Sequence, residues 1–179
     1  MHYLDKFKYC PACGSNRFEE NDFKSKRCGD CGFTFYFNSA SATAVIITNE
    51  RGELLLCRRA FDPAKGTLDI IGGFVDPGES ALEAIVREIK EETGIQVPPS
   101  ELTFLFSLPN TYMYSGLLLH TCDSIFSVQI PSATTIHASD DVAECFWVSP
   151  ADVRLADIGL DSIREAVRRY LTDRYFCLK

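Results

Sequence analysis

Long apolar runs are missing from this 179-residue chain. No stretch reaches the ~18–20 apolar residues that a helix needs to cross a bilayer. The opening Met1-His2-Tyr3-Leu4-Asp5-Lys6 lacks the apolar core of a secretory leader. The expectation is a cytoplasmic protein with no membrane partner. An excess of positive charge is missing too: 18 Lys and Arg face 25 Asp and Glu, a formal net charge of −7. That balance argues against a nucleic-acid partner held through phosphate neutralisation. It leaves room for a site that grips phosphates through bound cations. Beyond one pair of short cysteine motifs there is no internal repeat and no low-complexity stretch. With 46% hydrophobic and 24% charged residues, the chain has the composition of a globular protein rather than a disordered one.

Cysteine, by contrast, is plentiful, with eight in the chain. In a reducing compartment these are ligands, core residues or reactive thiols rather than a disulfide frame. Cys10 and Cys13, then Cys28 and Cys31, form two C-x-x-C pairs separated by fourteen residues, and each pair is followed by a glycine, Gly14 or Gly32. Two thiolates three positions apart on a tight turn can reach one ion at a zinc–sulfur distance of about 2.3 Å. The glycine lets the backbone turn without steric cost. Two such turns close a tetrahedral four-thiolate shell, a structural Zn²⁺ site. The paired spacing favours metal over four unliganded thiols. A segment of about 40 residues is also too small to fold on its own core. We therefore expect a zinc ribbon over 1–37 and a second domain over 38–179. Six Lys and Arg against five acids leave the ribbon nearly neutral, unlike a nucleic-acid-binding finger. The run Phe33-Thr34-Phe35-Tyr36-Phe37 reads as a β segment that packs the ribbon onto the second domain. Docking of paired aromatic strands would support a homodimer. Cys57, Cys122, Cys145 and Cys177 are scattered; Cys57 and Cys145 read as buried apolar residues.

From residue 41 strands and helices mix. Ala42–Thr48 reads as a buried strand, and Glu53–Cys57 pairs back as a hairpin across Asn49-Glu50-Arg51-Gly52. Short strands are expected at Thr67–Ile71, Leu102–Leu108, two segments within Met113–Ile130, and Val142–Val148. Ser80-Ala81-Leu82-Glu83 is a capping box and Gly94 a stop, giving a helix over 81–93. A second helix over 162–172 carries Ile163, Ala166, Val167, Tyr170 and Leu171 on one face. Ser149-Pro150 opens a short turn with a Ser cap. The class is α/β, a mixed sheet with helices on its faces.

Chemistry gathers on the first helix. Leu82, Ile85, Val86 and Ile89 form an apolar face, and Glu88, Glu91 and Glu92 fall within roughly 100° of one another. Like charges at these spacings destabilise a helix. Taken alone, the carboxylates fit a hard divalent cation or a solvated acidic face with Arg87 and Lys90 equally well. The preceding loop, Gly72-Gly73-Phe74-Val75-Asp76-Pro77-Gly78-Glu79, favours the cation, because its glycines allow close backbone approach and a free carbonyl ligand.

The pattern Gly73-x5-Glu79-x7-Arg87-Glu88-Ile89-x-Glu91-Glu92-x-Gly94-Ile95 resembles the Nudix signature. The resemblance implies a Nudix α/β/α sandwich and hydrolysis of a nucleoside diphosphate linked to another group, X. It implies Mg²⁺ or Mn²⁺ on Glu88, Glu91, Glu92 and a carbonyl near Gly73, with Arg87 orienting a glutamate and Glu79 supporting Arg87 or the loop. The general base is Glu88 or an acid of the Asp140, Asp141, Glu144 loop, with Glu144 preferred. Arg58, Arg59, Phe74 and Tyr112 are candidate substrate contacts. The ribbon ahead of the signature is similar to the arrangement in NADH and FAD pyrophosphatases. The expected substrate is accordingly an ADP-linked metabolite, either ADP-ribose or a dinucleotide such as FAD or NADH. The alternative is a nucleotide-sensing regulator without turnover. Phe106–Tyr112 lacks the Ser-Gln-Pro-Trp of the NADH group, and Ile71 stands where proline usually precedes the glycine pair. Pro109 and Tyr112 lie near positions typical of ADP-ribose and diadenosine polyphosphate hydrolases respectively, so X stays open.

Overall fold

The computed structural model describes residues 2–172, apart from the side chain of Tyr112; Cys177 lies outside this range. It divides into two compact units, Met1–Ser39 and Ala40–Lys179.

The first unit is a three-stranded antiparallel sheet of β1 (Phe18–Asp22), β2 (Ser25–Cys28) and β3 (Thr34–Tyr36), in that order. Its core is only Cys10, Phe18 and Cys28, with Phe35 packed against them. The aromatic run does form a strand: β3 pairs with β2, and Phe37 just beyond it stacks on Tyr3.

The second unit holds β4 (Ala40–Thr48), β5 (Leu54–Arg59), β6 (Leu68–Asp69), β7 (Ile71–Phe74), α1 (Ala81–Thr93), β8 (Thr103–Tyr114), β9 (Leu117–Gln129), β10 (Val142–Val148) and α2 (Asp161–Thr172). These strands make one mixed sheet in the order β10-β5-β4-β9-β8, with β6 on β5 and β7 on β4. β4 runs parallel to β9 and antiparallel to β7. Burial alternates along the central strands. Val45, Ile47, Leu55, Cys57, Phe126 and Val128 join Ile85 and Ile89 of α1 in one core. Ala44, Ile46, Leu54, Leu56 and Ile125 join Ile163, Ala166 and Val167 of α2 in another. A sheet covered on both faces explains why β4 and β5 read as continuous apolar runs.

Three expectations are corrected. Residues 117–129 form one strand rather than two segments, and β8 continues to Tyr114, because the two strands pair throughout as a long hairpin. Pro109 is tolerated there because β8 is an edge strand. The 3-10 turn at Pro150–Asp152 has no side-chain cap from Ser149. On α1, Leu82 is exposed, while Glu88 and Glu92 are buried. The packed stripe is Ile85, Glu88, Ile89 and Glu92, so two acids occupy positions the apolar pattern would give to the core.

Among the described residues no helix is long and apolar enough to cross a membrane. The α1 capping box forms as expected, Ser80 accepting from the Glu83 amide and Glu83 from the Ser80 amide, with Gly94 in the left-handed region at φ 73°. Replacing fully buried Ile85 by Ala should cost about 2–5 kcal/mol, seen as a lower urea midpoint at unchanged slope.

Candidate active site

The cysteines of the first unit come together. Cys10 Sγ lies 3.7 Å from Cys31 Sγ, Cys13 Sγ lies 3.7 Å from Cys28 Sγ, and all four lie within 4.8 Å of one another. A tetrahedron of sulfurs about 2.3 Å from a central ion has edges of about 3.8 Å. The two turns match bond for bond. Gly14 and Gly32, both left-handed, donate to the carbonyls of Cys10 and Cys28. The amides of Cys10 and Cys28 donate to the carbonyls of Ser15 and Phe33. The Cys31 amide draws the Cys28 thiol down to about 6. The Ser15 amide favours the Cys13 thiolate, yet the neighbouring sulfurs hold that thiol up at about 12. A bound cation would hold such thiols as thiolates, and the donor set fits Zn²⁺.

His2, Asp5 and Glu20 also cluster. They do not form a second metal site, because the His2 ring is already used at both nitrogens. Nδ1 accepts from the Leu4 amide and Nε2 meets the Asp22 carbonyl.

In the second unit Arg87 is the hub. Its Nε and Nη2 grip the two Glu79 oxygens at 3.0 Å each, and Nη2 also donates to the Phe74 carbonyl at 3.0 Å. Nη1 donates to Glu88 Oε1 at 2.8 Å and to Glu91 Oε2 at 3.0 Å. Glu92 points elsewhere and accepts from the Gly72 amide at 3.0 Å. One guanidinium thus faces three carboxylates, with a fourth buried beside them. Burial raises the Glu88 carboxyl despite Arg87, with Glu91 and Asp140 adding to the effect. Burial, with the charges of Glu88, Asp69 and Asp141, lifts Glu92 to about 9 despite the Gly72 amide. Arg87 holds Glu79 below the usual carboxylate range.

The loop glycines are required by close approach. A Cβ on Gly73 would collide with the Glu88 carboxylate, and one on Gly72 with the Thr43 carbonyl. The acidic excess and this cradle fit a hard divalent cation. Arg87 Nη1 draws Glu88 and Glu91 together, while Glu92 is turned away to the Gly72 amide.

The remaining candidates divide. Arg59 and Phe74 line a cavity of about 310 Å³, together with Gly72, Gly73 and Asp141. Arg58 does not line it: Glu144 holds it at 2.7 Å and the Gly66 carbonyl at 2.8 Å. Glu144 is thus engaged at the β10–β5 pairing, while it is Asp140 and Asp141 whose charges act on Glu88 and Glu92. Tyr112 lies in β8, and its side chain is outside the described set.

Sequence reasoning missed a buried polar wall of the same cavity, formed by Asp69, Asn110, Thr121 and Asp123. Thr121 and Asp123 sit two apart on β9. Polar residues at period two on one sheet face were the available signal.

The NUDIX domain family model matches residues 38–170. The chain is 29% identical over 173 residues to an NAD-capped RNA hydrolase NudC of Stutzerimonas stutzeri, covering 97% of this chain and 57% of that protein. It is 33% identical over 99 residues to the NudC of Haemophilus influenzae, covering 54% of this chain and 37% of the relative. The chain therefore spans only about half, or less, of these relatives. A NUDIX hydrolase structure from Nitrosomonas europaea shares the fold at TM-score 0.68 and 20% identity, covering 94% of this chain and 92% of that one. The NUDIX domain of Shewanella oneidensis NrtR, complexed with ADP ribose, has TM-score 0.61 at 19% identity, covering 76% and 91%.

Two outcomes are expected of the site as described. Purified protein should carry about one zinc per chain by plasma mass spectrometry, and Cys28→Ser should carry little. For Glu92, a carboxyl raised to about 9 from an ordinary 4.5 favours the folded state while protonated. Its contribution is full below about pH 4.5 and is lost as pH rises through about 9. In EDTA, Glu92→Gln should therefore be more stable than wild type, by a margin that widens over that range in urea titrations. A margin that is flat with pH would count against the burial argument.

Proposed function

The chain belongs to the NUDIX family, and from that premise we propose that it is a divalent-cation-dependent pyrophosphohydrolase acting on an ADP-linked metabolite. One observation carries the reading. The Arg87-centred carboxylates meet the Gly72–Gly73 backbone, and both glycines line a cavity of nucleotide-compatible size, about 310 Å³. Glu88, Glu91, Glu92 and a glycine carbonyl would hold Mg²⁺ or Mn²⁺. A cation bound there would polarise phosphate oxygens and ease deprotonation of water.

The chain's own residues supply the rest. Arg87 keeps the carboxylates from scattering and keeps Glu79 ionised. Arg59, on the cavity wall, and Phe74, at its edge, are the substrate contacts we retain. Arg58 and Glu144 neutralise each other at 2.7 Å, so we give them a structural role. Asp141 lines the cavity and acts on Glu92, so we assign it the proton from the attacking water.

Supporting the ADP-linked reading are the names of the relatives, which refer to NAD caps, and the ADP ribose in one fold neighbour. With net charge −7, we place the substrate among free nucleotides rather than RNA ends. The sensor alternative is weakened by the retention of every signature acid. The zinc ribbon is assigned no step in the chemistry.

The test is a panel of ADP-ribose, NADH, FAD, diadenosine polyphosphates, nucleoside triphosphates, nucleotide sugars and NAD-capped RNA, with products separated by chromatography. We expect AMP from one ADP-linked compound with Mg²⁺ or Mn²⁺ and none in EDTA. Asp141→Asn should lower kcat by about 100-fold or more, while Glu144→Gln changes it by less than about threefold. Tight binding without turnover across the panel would favour the sensor instead.

A further inference from the structure

We propose that Asn110 determines specificity by reading the amino and ring-nitrogen edge of adenine at the β8–β9 wall of the cavity. This rests on the nucleotide reading above but not on hydrolysis. Asn110 is 8% exposed and lines the cavity, yet its side-chain amide makes no hydrogen bond to any described residue. The other buried polar side chains of the wall are engaged. Thr121 Oγ1 donates to Asp123 Oδ1 at 2.5 Å, and Ser162 Oγ donates to Asp123 Oδ2 at 2.6 Å. Asp69 accepts from Arg59 Nη1 at 2.5 Å and from the Ile70 amide at 2.8 Å. Thr43 Oγ1 donates to the Ser124 carbonyl at 3.3 Å. A side chain this buried, whose amide opens on the cavity amid satisfied neighbours, is placed to take a partner that arrives from outside.

The chemistry of that partner is set by the wall. An asparagine amide offers an acceptor beside a donor, in one plane. A ring edge with an amino group next to an unprotonated ring nitrogen answers both, as adenine does. Asp62, Asp69, Asp123 and Asp141 line the cavity against Arg59, so the wall is rich in acceptors. Such a wall welcomes a ligand amino group. It disfavours the carbonyl edge of guanine or hypoxanthine. Ala42, Ala44, Phe74, Leu160 and Ile163 supply apolar surface for a planar ring. In the sheet, β9 and β4 lie between β8 and β7. A base at Asn110 therefore leaves its phosphates to point toward the Gly72–Gly73 end, where the cation ligands are.

The test compares wild type with Asn110→Leu, which keeps the bulk and removes both polar groups. Two readouts separate recognition from structure. Without ligand, Asn110→Leu should unfold at the same or a higher urea concentration, since it keeps the bulk and removes no side-chain hydrogen bond to a described residue. Binding of ADP-ribose in EDTA, by calorimetry, should weaken about tenfold or more. With divalent cation, the loss should appear in KM, with kcat within about threefold. Wild type should prefer ADP-ribose over its hypoxanthine and guanine analogues, and the variant should not. Binding in EDTA that is lost in Asn110→Leu, without turnover by wild type, would sustain this inference and remove the hydrolase reading. Normal turnover with unchanged KM in the variant would overturn the inference and leave the hydrolase intact. A destabilised variant with unchanged affinity, a wild-type preference for guanine, or no purine-nucleotide binding at all would each overturn it.

Discussion

The second unit is organised around a shortage of positive charge at one place. Among the described residues Arg87 is the one cation that bridges Glu79, Glu88 and Glu91, and it spends its fork on all three. Only a planar guanidinium can do this, because its donors leave in several directions from one rigid centre. A lysine there would satisfy one acid and leave two to repel each other along the helix. Glu92 lies beyond the fork and is kept by burial and a single amide hydrogen bond. The cluster is thus held together but not neutralised, a state poised for divalent cations and costly without them.

The fold tolerates this because the cost is local. α1 needs only Ile85, Ile89 and Ala84 to seat itself, all fully buried, and its ends are closed by the Ser80–Glu83 box and by Gly94. The acids then ride on a helix whose start, stop and packing are fixed independently of them. Directly opposite, β7 presents Gly72 and Gly73 where side chains would block the carboxylates. Sheet pairing of β7 with β4 fixes that backbone in place.

Much of this was legible in the residues. The cysteine pairs, the capping box and the spacing of the acids are local signals, each set by a turn or by the helical repeat. What escaped was set by strand pairing. Helical phase put Leu82 on the apolar face and Glu92 only at its border, whereas in the structure Leu82 is exposed and Glu88 and Glu92 lie in the packed stripe beside the β7 glycines. Glu144 was preferred as base among the acids of its loop, and chain order could not show its cross-strand partner. Register places Glu144 opposite Arg58 on β5, and the two neutralise each other. The period-two signal of Thr121 and Asp123 did not reveal a wall shared with Asn110, since that wall exists only once β8 pairs with β9.

Strand alternation also separates the two tasks of the site. Odd and even positions of β4 and β9 point to opposite faces, so the α1 side carries the acids and the α2 side carries the cavity. The two faces meet at β7, where Gly72 and Gly73 line the cavity, Gly73 leaves room for Glu88 and the Gly72 amide bonds Glu92. The glycine pair is therefore required twice, once for recognition and once for charge. A methyl group at Gly72 would collide with the Thr43 carbonyl and one at Gly73 with the Glu88 carboxylate, even if every acid and every polar wall residue stayed in place.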